Sequence, residues 1–399
     1  MTTQPHTGPT GTHLTTRPSG RAHAEFHALV GDPRAVLTPL AARTPHLASA
    51  LESTFDDVLA EPGLPRQARE IATLAALAAL GGSASELDVH TRAALRVGVD
   101  PDEIRLLLHH LLPYLGFPRV LQAARTVGAH LPAPLPETEV DLGDHTTAVI
   151  DRPGDDPTLA PMVLVHALGL NRHMWRDTIA ALPTDRRVIA YDLRGHDRAA
   201  DAPRVTDLEH FATDLQRLLD ELGLPTVHLA GLSLGGSIAQ VFALSRPSRL
   251  VGLDLIATVA EGQPAFSERA TAAERDGMAG VLAGTLTRWF TPAALAVNGW
   301  PVRYARDLVQ RTDVGNWAAS WRALAGINTL PSLGSLDLPV RVIAGELDPS
   351  STPAGMQAIS DAIPGAEFTV VPGAPHMMSL ERPTDLAILL ARRPEPMEA

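Results

Sequence analysis

Between residues 22 and 130 apolar residues recur every three or four positions, the spacing of amphipathic helices. Leu47, Leu51, Phe55 and Val58 form one such stripe, and Ile71, Leu74, Leu77 and Leu80 form the next. Asp100-Pro-Asp-Glu103 predicts a helix start: Asp100 caps it, Pro101 fits the first turn and Glu103 can return a bond. The helix that follows is apolar nearly all round as far as Leu111, which predicts burial. Pro113 ends or kinks it, and Gly116-Phe-Pro118 launches another helix to about Ala129.

After a stiff, proline-alternating linker at 131–137 the period changes. Short apolar runs at 146–151, 161–166, 188–192, 227–230, 250–256, 340–344 and 367–371 read as strands separated by helical stretches. One of those helices has Thr206 as cap, Glu209 as box partner and Gly223 as stop. Strand alternating with helix over 138–393 predicts a parallel, doubly wound sheet. The alternation stops at 262–330, a helical stretch that carries Trp289, Trp300, Trp317 and Trp321. It reads as a lid over an apolar pocket, as a small helical core, or as both. The fold class is thus two domains, an all-α domain at 22–130 and an α/β domain with a helical lid.

Composition narrows the function. The chain of 399 residues carries a formal charge of -12 with no basic block, which argues against a nucleic-acid partner. It has no cysteine, so disulfides, thiolate metal sites and cysteine nucleophiles are excluded, and a cytoplasmic location fits. No apolar stretch is long enough to span a membrane. Residues 1–21 are rich in Thr, Pro, Gly and His, lack the apolar segment of a secretory signal and read as a disordered tail. His6, His13 and His23 are spaced too irregularly for metal ligands, and no metal is expected.

The chemistry concentrates at Ala230-Gly-Leu-Ser-Leu-Gly-Gly236, between a strand and a helix. Gly231 and Gly235 flank Ser233 as G-x-S-x-G, a nucleophile elbow, because only small residues let the chain turn sharply enough to lift the hydroxyl out. A serine nucleophile needs a base and an acid to orient it. Asp348 and His376 stand on the loops after two later strands, in the order serine, acid, histidine, with Glu346 as reserve acid. The amides of Leu168 and Leu234 are candidates for the oxyanion hole. His166, His173, Trp175, Trp289, Trp300 and Trp321 are candidates for the substrate pocket, although a structural hydrogen bond is the stronger reading for His166. Arg288, Arg303, Arg306 and Arg322 are candidates to hold a substrate carboxylate, with plain surface arginine the default for each.

In the helical part the informative residues are polar ones on apolar faces. Glu70 shares a stripe with Leu74 and Leu77, His90 with Ala94 and Val97, and His110 lies between Leu106 and Tyr114. Together they read either as a proton-transfer site or as helix-start support with hydrogen-bonded core histidines.

Arg69-Glu-Ile-Ala-Thr-Leu-Ala-Ala-Leu-Ala-Ala-Leu-Gly-Gly82, His90-Thr-Arg-Ala-Ala-Leu95, Gly98-Val-Asp-Pro-Asp-Glu-Ile104 and Tyr114-Leu-Gly-Phe-Pro118 resemble the carboxymuconolactone decarboxylase family. The resemblance implies an all-helical, cofactor-free, commonly oligomeric domain, with Glu70 and His90 as the residues carried over. It departs at His110, where those decarboxylases usually have glutamine, and in the loop from Gly81 to Glu86, whose length differs by about one residue. These departures imply either a different substrate or an oligomerisation scaffold.

Residues 138–392 resemble the α/β-hydrolase superfamily, and within it the 3-oxoadipate enol-lactonases. Leu168-Gly-Leu-Asn-Arg-His-Met-Trp175, Tyr191-Asp-Leu-Arg-Gly-His196, the elbow and the Asp348 and His376 loops match in order. The usual Gly-His-Gly-x-Ser turn is here Gly195-His-Asp-Arg-Ala-Ala200. Taken together, the resemblances imply a bifunctional enzyme that decarboxylates a carboxymuconolactone-like substrate and hydrolyses the enol-lactone it forms. Fusions of this kind usually carry the lactonase first; the reversed order here, with the altered turn and His110, leaves room for a different pathway. That alternative is a tailoring hydrolase of specialised metabolism acting on another lactone or ester. A hypothesis of another class, against which the complete triad argues, is a hydrolase-fold protein that binds a ligand without turnover.

Overall fold

In the computed structural model, residue 27 and residues 31–54 and 63–392 are described. The tail at 1–21 with its histidines, His23, and Phe55 and Val58 of the first stripe lie outside them. The chain divides between Pro132 and Ala133 into two units.

The first unit is helical: α1 (Pro33–Arg43), α2 (Pro45–Thr54), α3 (Arg66–Leu80), α4 (Ala84–Arg96) and α5 (Pro101–Gly128). Its core is small, with Leu74, Leu87, Ala94, Val99, Ile104, Leu108, Val120 and Val127 at its centre. The stripe of α3 is rotated from the predicted one. Glu70, Leu74 and Ala78 are buried while Leu80 is 74% exposed, because the helix presents its i, i+4, i+8 row inward. In α2, likewise, Ala48 is buried and Leu47 exposed. The capping box at Asp100 forms as read, with Asp100 accepting from the Asp102 amide at 2.7 Å and Glu103 accepting from the Asp100 amide at 2.9 Å. α5 is kinked at Gly116, whose φ of 74° is open to glycine, with Pro113 and Pro118 on either side. The burial expected of α5 as far as Leu111 is corrected: Leu106 is more than half exposed and His109 and His110 are exposed too, so apolar character nearly all round did not mean cover on all sides.

The second unit is built on an eight-stranded sheet ordered β1-β2-β4-β3-β5-β6-β7-β8. The strands are Glu137–Asp141, Thr146–Arg152, Met162–Val165, Val188–Tyr191, Val227–Leu232, Leu250–Ile256, Val340–Gly345 and Glu367–Val371. β3 to β8 are parallel, but β1 and β2 run antiparallel to their neighbours, so the sheet is mixed and not wholly parallel. β1 escaped the sequence reading because only Val140 faces inward on this edge strand.

Around the sheet lie α6 (Arg176–Ala181), α7 (Leu208–Glu221), α8 (Leu234–Ser245) and, beyond the lid, α13 (Pro353–Asp361), α14 (Met378–Glu381) and α15 (Pro383–Ala391). The lid itself is α9 (Pro264–Trp289), α10 (Pro292–Val297), α11 (Trp300–Arg311) and α12 (Val314–Ala325). The cap of α7 is Asp207, which accepts from the His210 amide at 2.9 Å, and not Thr206, whose hydroxyl bonds to Asp207 instead. Among the described residues no helix is long and apolar enough to cross a membrane.

Candidate active site

The central strand β5 delivers Ser233 at its C-terminal end, the edge where parallel α/β sheets place their sites. Ser233 has φ 56° and ψ -117°, a backbone strain that a serine holds only where its surroundings fix it. Those surroundings need both flanking glycines. A Cβ on Gly231 would strike the carbonyl of Gly235, and one on Gly235 would strike the carbonyl of Val165 at the end of β3. The elbow can therefore abut the loop that follows β3. Ser233 is further pinned by its amide, which donates to the Ile256 carbonyl at 2.9 Å, and by its carbonyl, which accepts from the Thr258 hydroxyl at 2.7 Å.

His376, on the loop after β8, faces this hydroxyl. Its Nε2 lies 3.0 Å from Ser233 Oγ and its Nδ1 2.7 Å from Asp348 Oδ2, on the loop after β7. The other oxygen of Asp348 accepts from the amides of Ser350 at 2.7 Å and Ser351 at 3.0 Å, which fixes the carboxylate against rotation. Asp348 and His376 are both buried. Glu346, the reserve acid, turns away and accepts from the Gly373 amide at 2.7 Å. The structure thus brings Ser233, His376 and Asp348 into one hydrogen-bonded line, in which an imidazole can take the serine proton while a carboxylate holds its tautomer.

Leu168 lies in the loop after β3, and its amide has no partner among the described residues. Leu234 begins α8, where first-turn amides have no partner within the helix. A cavity of about 440 Å³, counting the solvent at its mouth, opens onto Leu168, Ser233 and His376. Trp289 and Trp321 line it, together with Phe266 and Leu324.

The other aromatic and histidine candidates do not line it. Trp175 is fully buried beneath the loop. Trp300 carries the guanidinium of Arg176 over its ring at 4.0 Å. His173 is paired with Glu137 at 3.3 Å. His166 is fully buried; its Nδ1 donates to the Ala167 carbonyl at 2.8 Å and its Nε2 accepts from the Leu193 amide at 2.8 Å, the structural role that was favoured for it. Burial and the neighbouring His196 hold the His166 imidazole well below its ordinary pKa.

Among the proposed carboxylate-binding arginines only Arg288 faces the cavity. Arg303 and Arg306 bond to Asn298, and Arg322 pairs with Glu274 at 2.6 Å. Arg269, which the sequence reading missed, is the second cation of the cavity. Its position three residues after buried Phe266 was the available signal. The cavity has no acidic side chain in its lining, and neither arginine is paired with a carboxylate among the described residues. Burial, and then the charge of Arg288, lower the Arg269 pKa to about 10, and burial lowers that of Arg288.

In the helical unit Glu70 is buried and its carboxylate meets His90 Nδ1 at 2.9 Å. His110 does not join them. It is exposed, with its ring tilted against that of Tyr114 at 5.4 Å, so the expected three-residue cluster is a pair. As for metals, the described residues bring ligand atoms of Asp144, His145 and Asp214 within 4.8 Å of one another. Both carboxylates there are already paired with Arg194, which leaves little net negative charge for a cation.

Sheet order and the elbow at the end of β5 define an α/β hydrolase fold. The chain belongs to that family: residues 160–383 match the model of the alpha/beta hydrolase fold, and residues 45–128 match that of the carboxymuconolactone decarboxylase family. Over the hydrolase part it is 30% identical to 3-oxoadipate enol-lactonase 2 of Acinetobacter baylyi, covering 64% of this chain and 93% of that one. It is 28% identical to enol-lactonase 1 of the same organism, covering 60% and 93%. Among solved structures, the enol-lactonase from Burkholderia xenovorans superposes with a TM-score of 0.60 at 27% identity, covering 63% of this chain and 98% of that one.

Proposed function

We propose that the second unit is a serine hydrolase that opens an enol-lactone of the 3-oxoadipate type. The observation that carries this reading is the line Asp348–His376–Ser233, at 2.7 and 3.0 Å, ending on a strained elbow inside a cavity. His376 takes the Ser233 proton as Oγ bonds to the lactone carbonyl carbon. The oxyanion forms against the amides of Leu168 and Leu234. Collapse breaks the ring C–O bond, and His376 returns the proton to the departing enolate. Water, deprotonated by His376, then attacks the acyl ester and restores Ser233. Arg269 and Arg288 supply the positive charge that a carboxylate on the acyl part requires. The names of the similar enol-lactonases support the same substrate class.

For the first unit the proposed reaction is loss of carbon dioxide from a carboxymuconolactone-like substrate, with Glu70 or His90 protonating the resulting dienolate. The exposed Leu80, Leu106, Tyr114, Phe117 and Leu121 suit a second copy of the chain as partner, since a monomer rarely leaves that many large apolar groups in water.

A second reading, another ester or a larger lactone as substrate, has its own observation. A neighbouring cavity of about 710 Å³, counting solvent at its mouth, shares Thr258, Val259, Ser350 and Ser351 with the first and gives room beyond a small ring. Incubation with gamma-carboxymuconolactone and, separately, with 3-oxoadipate enol-lactone decides between them. The proposal expects turnover of both, and turnover of neither would favour the second reading.

A further inference from the structure

Asp197 stands in the turn where the enol-lactonases that this chain resembles usually carry glycine. It keeps a glycine-like backbone, with φ 41°. Aspartate is among the few non-glycine residues that adopt such a backbone, and here its side chain is held as well. Its Oδ2 accepts from Asn171 Nδ2 at 2.9 Å and from Arg172 at 3.3 Å. Asn171 and Arg172 belong to the loop after β3, directly after the turn that holds Leu168.

With its nitrogen committed to Asp197, the Asn171 amide must turn its oxygen the other way. That oxygen accepts from the His173 amide at 2.9 Å and from the hydroxyl of Tyr304, on lid helix α11, at 2.6 Å. The lid touches the same two loops at two more points. Asn316 of α12 donates to the Ala200 carbonyl at 2.9 Å, and the ring of Trp317 lies so close to Gly169 that a Cβ there would collide with it. Asp197 is thus one of three groups, with the His173 amide and the Tyr304 hydroxyl, that orient the Asn171 side chain, and through Asn171 it joins one of these three ties between the lid and the two loops.

We propose that Asp197 is a positioning residue for hydrolysis: by orienting Asn171 between itself and Tyr304, it locks the Leu168 loop against the lid and so fixes an oxyanion donor. The proposal rests on the serine-hydrolase reading above. Glycine at 197 would relax the backbone yet remove the acceptor of the Asn171 nitrogen, leaving that side chain held from its oxygen alone. Asparagine would keep an acceptor and tolerate the left-handed backbone.

The test is the rate at which an ethyl p-nitrophenyl alkylphosphonate modifies Ser233 in the full chain, resolved into kinact and KI by p-nitrophenol release. Asp197→Gly should lower kinact at least about tenfold while KI moves less than about threefold, because a displaced donor is missed in the tetrahedral state and not in binding. Asp197→Asn should restore kinact to within about threefold of the parent. Tyr304→Phe, which cuts the link from the lid side should Asp197→Gly fail to fold, should also lower kinact. In the double variant the two losses should be less than additive, because both act through Asn171. Parental kinact in Asp197→Gly or in Tyr304→Phe, equal losses in Asp197→Asn and Asp197→Gly, or full additivity would overturn the proposal. Absence of any reaction in the parent chain would instead overturn the nucleophile assignment, and this inference with it.

Discussion

Each unit of the molecule holds a buried carboxylate against a histidine: Asp348 with His376 at 2.7 Å, and Glu70 with His90 at 2.9 Å. The pairs differ in what the second ring nitrogen meets. His376 is buried and its free nitrogen faces a hydroxyl held on a strained turn by another strand. The His90 side chain is about a third exposed (34%), and among the described residues it has no further hydrogen-bond partner. On the proposed reading the same two side-chain types activate a nucleophile in one place and only give or take a proton in the other. The third group makes the difference, and the β-sheet supplies it by bringing three loops distant in sequence to one edge.

That contrast can be broken at several points. The largest effect is expected for Asp348→Asn, which should lower kcat for lactone or ester hydrolysis about 10⁴-fold by fixing the wrong tautomer of His376. Glu346 should not rescue it, being bonded to Gly373. A loss below about a hundredfold would show that the acid is dispensable. Glu70→Gln should lower decarboxylation of gamma-carboxymuconolactone by about a hundredfold or more, and should leave hydrolysis by the other unit within about twofold. Unchanged decarboxylation would withdraw the assignment.

A third effect separates the units by acid. Burial holds the imidazole of His196, next to the Asp197 turn, down to about 4, against an ordinary value of 6.5. The folded unit keeps it neutral while the unfolded chain binds a proton, so its contribution is complete above about 6.5 and is lost as the pH falls from there to about 4. The loss amounts to roughly 3 kcal/mol. Urea midpoints of the hydrolase unit should follow that slope, and His196→Gln should flatten it. The smallest effect is expected for Arg269→Gln and Arg288→Gln. Each should lower the ratio of kcat/KM for a p-nitrophenyl hemisuccinate over that for p-nitrophenyl butyrate by about tenfold. An unchanged ratio would remove the carboxylate from the substrate.

Much of the hydrolase site was legible in the sequence because it obeys local rules: a glycine-flanked serine after an apolar run, then an acid and a histidine on the two loops that follow later strands. The sheet was legible strand by strand except for β1, whose single inward residue gives no alternation. The walls of the cavity were not. Trp175 and Trp289 look alike as aromatic residues near the site, yet one is fully buried in the core and the other lines the cavity. Arg269 reads as a surface cation until the turn of α9 is known. In the helical unit, periodicity showed that the faces carrying Leu106, His110 and Tyr114 are apolar, but not what, if anything, covers them. The departure at Asp197 was visible as a changed letter; its meaning needed the distances to Asn171 and Tyr304.

The central claim is that Ser233 is the nucleophile of the hydrolase unit. Intact mass and peptide mapping after treatment with a p-nitrophenyl phosphonate test it most directly. The account predicts one adduct per chain, placed on Ser233 itself by fragmentation of its peptide, and none in Ser233→Ala. An unmodified chain, or an adduct on the neighbouring Ser237, would contradict it.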